Sequence, residues 1–537
     1  MTLIVVGLSV GHDCGAALMV DGNVVVAISE ERIDRHRHSS GWTASLRYCL
    51  KYAGFRVDDV DQFVFSSGGA CLPDGFHGGL ATFGVPPERV VTVDHHLSHA
   101  IGAYCLSGYA ESAVLVLDAV GNNEDTESFY FASRSGIVRL NPVAPTRPRY
   151  KGIGSTYEAF TNFLGFNDEE SGKTMALAAY GDRERFRAPL FDLTGGGVKS
   201  RLEQTHQWGV AEFASRSGLD FGDLYPSDRT VASRDIAAFV QRQTEMALVH
   251  LVGEVIDRTK ASALCLSGGV ALNCVANSRV RAAYPDLRLF ILPPASDSGQ
   301  PLGNALYGHW KLTGEFPVVG TLASAFGREY DDDDTLAALR KDSLTLSYGR
   351  LYRYRHRYYK DTDPAAVAAQ LLADGNVVGW FQGGSELGPR ALGQRSILAD
   401  PRNPNIRDVL NAKVKKREWF RPFSPSILVE SAYQFVGDSV SRPFMVESPG
   451  IEANRRVEIP GAVHVDGSAR VQTVHRSQGR FHDLIEKFAE LTGVPAVVNT
   501  SFNVKEPIVE TPGNALGTYL ASEIDYLILG DYVVAKG

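Results

Sequence analysis

The sequence predicts an α/β protein of two domains, the first of them carrying a duplicated strand unit. Three observations point there. A strand, turn, strand, strand phrase runs from Leu3 to Ile28, and a similar one returns roughly a hundred residues later between Ala113 and Leu140. A further buried-looking strand, Ala263 to Leu266, runs straight into Ser267-Gly268-Gly269. Beyond about position 345 a new α/β pattern opens, and no cysteine lies past Cys274.

Within the first phrase, Leu3 to Leu8 is an apolar run, Gly11-His12-Asp13 a polar turn and Ala16 to Val20 a second run. Asp21-Gly22 is a hairpin signal leading into Val24 to Ile28. In the second phrase Ala113 to Leu117 is a strand, Asp118 to Gly121 a turn, and Phe129 to Ala132 and Gly136 to Leu140 are strands. Such a repeat suggests a fold in which a nucleotide sits between two lobes. Ile236 to Asp257 has helical apolar spacing, and a helix is expected to start again at Val270. A strand–glycine–helix junction of this kind either offers free N–H groups to phosphate or is a plain tight turn. The acidic run Asp331 to Asp334 reads as a solvated helix start rather than a metal cluster. Helix Pro364 to Ala373 and strand Val377 to Trp380 follow, which gives domains 1–345 and 346–537.

The bulk numbers agree with two domains and exclude several classes. A chain of 537 residues is too long for one core. With 44% hydrophobic and 22% charged residues it has an ordinary globular composition. A net charge of -8 argues against a sequence-independent nucleic-acid binder. The opening Met1 to Val6 lacks the basic region of a signal peptide, and no run approaches the roughly 20 apolar residues of a membrane span. The six cysteines contain no C-x-x-C, which argues against a disulfide framework and a cysteine zinc site. A reduced, cytoplasmic protein is the default, and a homodimer the default oligomer.

Three constellations carry chemistry. In Asp94-His95-His96-Leu97-Ser98-His99, a helix would put His95 and His99 one turn apart on one face, able to share a metal ion. Asp118 and Asp297 each follow an apolar strand and could complete the shell. Two His and two Asp suit Fe, Mn or Zn, without choosing among them. The second is Gly383 to Ser396, GGSELGPRALGQRS, where glycines allow close approach to an anion and guanidinium forks bind phosphate. The third is Lys413 to Phe423, joined by Val463 to Arg470, which concentrates positive charge among aromatics and prolines in an otherwise acidic chain. Val497 to Asn503 ends a strand in small polar groups that either hold phosphate or cap a turn.

Together these phrases resemble the O-carbamoyltransferases of antibiotic and nodulation-factor biosynthesis, the tobramycin carbamoyltransferase type. The resemblance runs through Gly11-His12-Asp13, Glu30-Glu31-Arg32, the HHLSHA phrase, Gly172 to Ala178, Ser267-Gly268-Gly269, GPRALGQRS, REWFRPFSPS and NTSFN. It implies an actin/hexokinase-like, tRNA threonylcarbamoyltransferase-like N-terminal domain and a YrdC-like C-terminal domain. It also implies carbamoyl phosphate held by Arg390, Lys415, Arg421, Arg470, Asn499 and Ser501, with Arg390 catalytic, and ATP with Mg²⁺ giving carbamoyl adenylate there. His95, His99, Asp118 and Asp297 match the family's metal ligands, with Fe²⁺ ahead of Mn²⁺ or Zn²⁺. His12 and His99 are the catalytic candidates of the first domain. Ser267, Gly268, Gly269 and Asn273 would contact the adenosine, with Lys173 approaching phosphate or acceptor. Arg37 and Tyr157 are assigned to the acceptor or adenylate pocket.

The chain departs from the family at His36 and Arg37, where paired lysines are usual, and at Ala119, where glycine is common. The expected acceptor is a hydroxylated small molecule, contacted by loops around Tyr150 to Asn167 and Phe213 to Arg234. Two other classes share parts of the pattern: a sugar or acetate kinase of the same duplicated fold, and a nucleotide-binding sensor. Neither uses the cationic second domain.

Overall fold

A computed structural model describes residues 2–67, 76–121, 124–141, 151–221, 231–317, 320, 325–341, 343–347, 350–354 and 356–537. The chain forms two compact units, one of Met1–Glu31 with His38–Thr321, the other of Arg32–Arg37 with Leu322–Gly537. The change of unit thus comes earlier than the expected position near 345. The reason is local pairing in the second unit: Ala325 bridges to Glu386, Gly327 N–H donates to Ser385 O at 3.0 Å, and helix Asp332–Arg340 packs against helix Pro512–Ala521. Asp331 caps that helix by accepting from Asp334 N–H, so the acidic run is a helix start, as its composition suggests.

The first unit holds two five-stranded sheets of one topology. In the first, β1 (Ile4–Val10), β2 (Gly15–Val20), β3 (Asn23–Ser29), β4 (Gln62–Ser67) and β5 (Val90–Thr92) lie in the order 3-2-1-4-5. In the second, β6 (Glu111–Leu117), β7 (Glu127–Ser133) and β8 (Gly136–Arg139) form the meander. A short hairpin, β9 (Phe191–Asp192) with β10 (Lys199–Ser200), stands apart, and β11 (Ala263–Ser267) and β12 (Arg288–Ile291) complete the second sheet. In both, the first strand pairs antiparallel with its hairpin partner and parallel with the next strand, so the duplication read from the two phrases is present. All seven residues of β1 are buried, as expected for a central strand covered on both faces. Asp21 and Gly22 both have positive φ, 48° and 82°, the requirement of a two-residue hairpin turn.

Two segments differ from expectation. Residues assigned to acceptor loops form helices over much of their length, Ile153–Phe163, Gln207–Arg216 and the long Val231–Thr259; Tyr150 and 222–230 lie outside the described residues. The helix expected at Val270 begins at Cys274, after a 3-10 turn Gly269–Leu272, because Asn273 takes the capping position and accepts from Ala276 N–H at 3.1 Å.

The second unit is a further α/β domain. β13 (Ser343–Ser347) and β14 (Arg350–Tyr354) form a hairpin. The main sheet contains β15 (His356–Lys360), β16 (Val378–Phe381), β17 (Arg395–Ala399), β18 (Ser424–Leu428), β19 (Gln472–Val474), β20 (Ala496–Ser501), β21 (Tyr526–Leu529) and β22 (Tyr532–Lys536), in the order 15-22-21-16-17-20-18-19. Helices Pro364–Ala373 and Arg480–Thr492 pack together, and with the sheet they enclose a core around Trp380, Phe435 and Phe488. Among the described residues no helix is long and apolar enough to cross a membrane.

Candidate functional site

Helix His95–Ser107 starts on Asp94, whose carboxylate accepts from Leu97 N–H at 2.9 Å, and it is buried along almost its whole length. Its pitch places His95 and His99 on one face, each only 1% exposed. Asp118 stands at the end of β6 and Asp297 opens the turn after β12, so the two strand ends bring their carboxylates to the same helix face. Nε2 of His95 lies 3.2 Å from Asp118 Oδ2 and 3.3 Å from Asp297 Oδ1, and Nε2 of His99 keeps the same two distances. The four ligand atoms lie within 4.8 Å of one another.

This arrangement asks for a cation. Burial alone would raise both carboxyls, yet the imidazoles hold Asp118 well below the usual carboxylate range and Asp297 below it. Burial alone would lower His95, yet Asp297 and Asp118 raise it to about 10. An ion bound through the ring nitrogens displaces their protons, and the two buried carboxylates then leave two negative charges, which a divalent ion balances. The separations suit ligand atoms sharing a first-row metal with bonds of about 2.0–2.2 Å. His99 Nδ1 lies 3.2 Å from Ser267 Oγ, which turns Nε2 toward the carboxylates. The donor set therefore fits a divalent transition metal.

Glycines let the surrounding elements close in. Gly268 has φ 90°, and a Cβ there would sit 2.1 Å from Leu117 O. A Cβ on Gly154 would sit 2.8 Å from Asp118 O, so helix Ile153–Phe163 rests directly on the Asp118 turn. His12 is 3.6 Å from Asp297 Oδ2 and 3.4 Å from Asp13 Oδ2, with 64% of its side chain exposed. Its hydrogen bond to Asp13 raises its pKa against burial, with Asp297 adding to the rise. Asp13 also binds His38 at 2.8 Å, and the other His38 nitrogen meets Glu169 at 2.9 Å. Glu158, one turn after Gly154, is pushed up to about 7 by burial and by Asp118. Asp13, His38, Glu169 and Glu158 were not assigned from the sequence; only the GHD turn and the position of His38 hinted at them.

Several expected nucleotide contacts are otherwise engaged. Ser267 is fully buried with its hydroxyl against His99, so its side chain is not available to adenosine. Asn273 caps its helix and exchanges two hydrogen bonds with Gln241, at 3.0 and 3.1 Å. Tyr157 donates to the same Gln241 at 2.9 Å from a buried position. Lys173 pairs with Glu170 at 2.5 Å above the ring of Phe166. Gly269 lies against Asp118, where a Cβ would be 3.3 Å from Oδ1.

In the second unit the cations gather at the sheet. Lys415 ends a π-helical turn, Leu410–Lys415, and the three N–H groups of its Nζ are shared among four acceptors, Ser501 O at 2.8 Å, Ser501 Oγ at 3.2 Å, Asn503 O at 2.8 Å and Asn503 Oδ1 at 2.6 Å. Burial pushes its pKa well below the usual range; Arg417, Arg421 and Arg37 add to this and Glu506 opposes it. Arg417 is depressed in the same sense by burial, Arg421 and Arg470. Arg470 Nε donates to Ser424 Oγ at 3.0 Å, and Arg421 lies 3.8 Å from Glu418. Arg390 is half-buried in the loop between β16 and β17.

Two parts of this region carry hydrogen bonds of their own. The N–H groups of Leu392, Gln394 and Arg395 donate to Glu386 Oε1 at 2.7, 2.8 and 3.2 Å, so these three donors of the glycine–arginine loop are engaged by a carboxylate of its own. The amide nitrogen of Asn499 is taken by Ala391 O, Ser426 Oγ and Gln472 Oε1, which leaves only Oδ1 for any ligand. Arg417, Asn503 and Gln472 complete the cluster; the first two lie inside quoted motifs, whereas Gln472 had no signal.

A model of the carbamoyltransferase N-terminus matches residues 4–71 and 84–306, and one of the carbamoyltransferase C-terminus matches residues 369–536. The chain belongs to the carbamoyltransferase family. As a carbamoyltransferase it is an enzyme that transfers carbamoyl groups. Nodulation protein NolNO of Sinorhizobium fredii is 34% identical over 98% of this chain and 79% of its own length. An uncharacterized protein of Synechocystis is 33% identical over 98% of this chain and 95% of its own. The crystal structure of HypF from T. kodakarensis is similar over 58% of this carbamoyltransferase and 48% of that chain, at 14% identity and a TM-score of 0.38.

Proposed function

We propose that this carbamoyltransferase is ATP-dependent and works in two half-reactions, one in each unit. The observation that carries this reading is the burial of Lys415 and Arg417 among other cations: burial lowers both, and Arg421, with Arg37 beside Lys415 and Arg470 beside Arg417, lowers them further. Buried like charges persist when an anionic ligand completes them, and carbamoyl phosphate with ATP is the anion pair that suits a carbamoyltransferase. Arg390, Arg421 and Arg470 would hold the phosphate of carbamoyl phosphate in this YrdC-like unit, with Lys415 adding its charge beside Ser501 and Asn499 Oδ1 accepting from the carbamoyl amide. Water cleaves it to carbamate and phosphate; a carbamate oxygen then attacks the α-phosphorus of Mg²⁺-bound ATP, forming carbamoyl adenylate and expelling pyrophosphate. The cations stabilise the negative charge that builds on both phosphoryl groups.

In the first unit an acceptor hydroxyl attacks the carbamoyl carbon, the bond to AMP breaks, and His12 takes the hydroxyl proton. Asp13 orients His12, as it does His38, and Ser267 orients His99. A divalent ion held by His95, His99, Asp118 and Asp297, Fe²⁺ ahead of Mn²⁺ or Zn²⁺, would supply Lewis acidity toward the carbonyl or phosphate oxygen. The nucleotide would lie along Gly268, Gly269 and Lys173. The acceptor is a hydroxylated natural product of small size.

The test separates the halves. With carbamoyl phosphate and ATP, Arg390→Ala should abolish pyrophosphate release. His99→Ala should release pyrophosphate yet add no carbamoyl mass to any member of a panel of hydroxylated natural products. Equal loss of pyrophosphate in both variants would overturn the two-site scheme. Release of ADP would identify a kinase instead, and nucleotide binding without turnover a sensor.

A further inference from the structure

A second group of metal-ligating side chains lies apart from both clusters, in the second unit. Helix Arg480–Thr492 carries His482, Asp483 and Glu486, and one ligand atom from each falls within 4.8 Å of the other two. His482 and Glu486 are one helical turn apart, the spacing that lets two side chains share one ion. The His482 side chain is fully buried, while Asp483 and Glu486 are partly exposed.

The hydrogen bonding of His482 sets its electronic form. Nε2 lies 3.1 Å from Glu430 Oε1. A carboxylate can only accept, so Nε2 carries the proton and Nδ1 presents a lone pair in the neutral ring. That Nδ1 is buried and has no hydrogen-bond partner among the described residues. Its neighbour Asp483 Oδ1 stands 3.9 Å away, too far for a hydrogen bond even to a protonated ring. Three acceptors therefore converge, and the one donor that meets them among the described residues is the exposed Arg476 guanidinium on Glu486. A carboxylate behind one ring nitrogen and an open lone pair at the other is the arrangement of a metal-binding histidine.

We propose that His482 Nδ1, Asp483 and Glu486 bind a divalent transition-metal ion, with Glu430 orienting the imidazole. One nitrogen and two carboxylate oxygens suit Zn²⁺ or Co²⁺ better than Mg²⁺. Glu486 also meets Arg476 at 3.0 Å, but that arginine side chain is 76% exposed and its surface ion pair is cheap to displace. The ion would fasten helix Arg480–Thr492 to Glu430 at the start of helix Val429–Val436.

The experiment counts Zn²⁺ bound per full-length chain after chelator treatment, reloading and dialysis. Wild type is expected to retain one equivalent more than the double variant Asp483→Asn, Glu486→Gln. His482→Gln, which keeps a polar side chain of similar reach, should lose the same equivalent. His99→Ala should leave it in place, so that combining His99→Ala with the double variant adds the two losses. Equal zinc content in wild type and the double variant would overturn the proposal, as would loss of both equivalents on His99→Ala alone.

Discussion

Nζ of Lys415 lies 2.6 Å from the side-chain oxygen of Asn503 and 2.8 Å from the carbonyl of the same residue. Asn503 Oδ1 also accepts from Ser501 Oγ at 2.8 Å, so one amide oxygen supports both the cation and the neighbouring hydroxyl. Asn503→Ala should strip Lys415 of a buried acceptor and cost about 1–3 kcal/mol. Urea unfolding measures the cost, and carbamoyl transfer should fall with it. A variant as stable and as active as the wild type would contradict this role.

Glu386 is the hub of the loop that carries Arg390. Glu386 is 1% exposed, and its Oε1 accepts from three backbone N–H groups. Hydrogen bonds to an ionised acceptor are about twice as strong as neutral ones. Glu386→Gln should therefore cost about 1–2 kcal/mol and speed hydrogen exchange at Leu392, Gln394 and Arg395. Unchanged exchange at those three amides would argue that the loop holds its shape without the charge.

Ser267 acts on the first unit's centre through His99, which it meets at 3.2 Å. Removing such a partner weakens metal affinity about 10–100-fold in comparable sites. Ser267→Ala should lower Zn²⁺ or Co²⁺ affinity by that factor, read by chelator competition, with little change in unfolding midpoint. Wild-type affinity in the variant would mean that the helix alone orients the ring.

Glu127 offers a pH signature. Burial lifts its carboxyl from the ordinary 4.5 to about 7, against the hydrogen bonds it accepts from Thr126 and from Ile153 N–H. A carboxyl raised in the folded state contributes stability that is fully present below about pH 4.5 and is lost as pH rises through about 7. Glu127→Gln should remove this decline. Compared with wild type, the variant should gain up to about 3 kcal/mol between pH 4.5 and pH 8, measured by urea midpoints across that range. Parallel profiles would show that Glu127 ionises normally.

Legibility in the sequence followed the range of the forces involved. The two meanders were readable because their strands centre on apolar residues and the Asp21-Gly22 turn has one favoured geometry, whereas β4 and β5 were not read from the sequence. The His95, His99, Asp118 and Asp297 quartet was readable because a helical turn and two strand ends are periodic features. Glu386 was not, since its partners are backbone N–H groups whose positions depend on the path of an irregular loop. Tyr157, Gln241 and Asn273 were not for a similar reason: they meet across three helices, and no local spacing records that. The resemblance places Ser267 at the adenosine, and no local spacing announces that its buried hydroxyl meets His99.

The second unit includes Arg32–Arg37. Within it, Arg32 donates to Gly388 O at 2.9 Å, and Arg35 to Pro507 O at 2.6 Å and Ile508 O at 2.8 Å. These bonds close loops of 356 to 473 residues, among the slowest kinds of contact to form. During synthesis the segment leaves the ribosome early and waits for nearly the whole chain before its partners exist. The two units are therefore not separable cassettes: a gene cut between 321 and 322 would leave the downstream product without its first six residues of structure. Relatives that exchange their C-terminal halves would have to exchange Arg32–Arg37 as well.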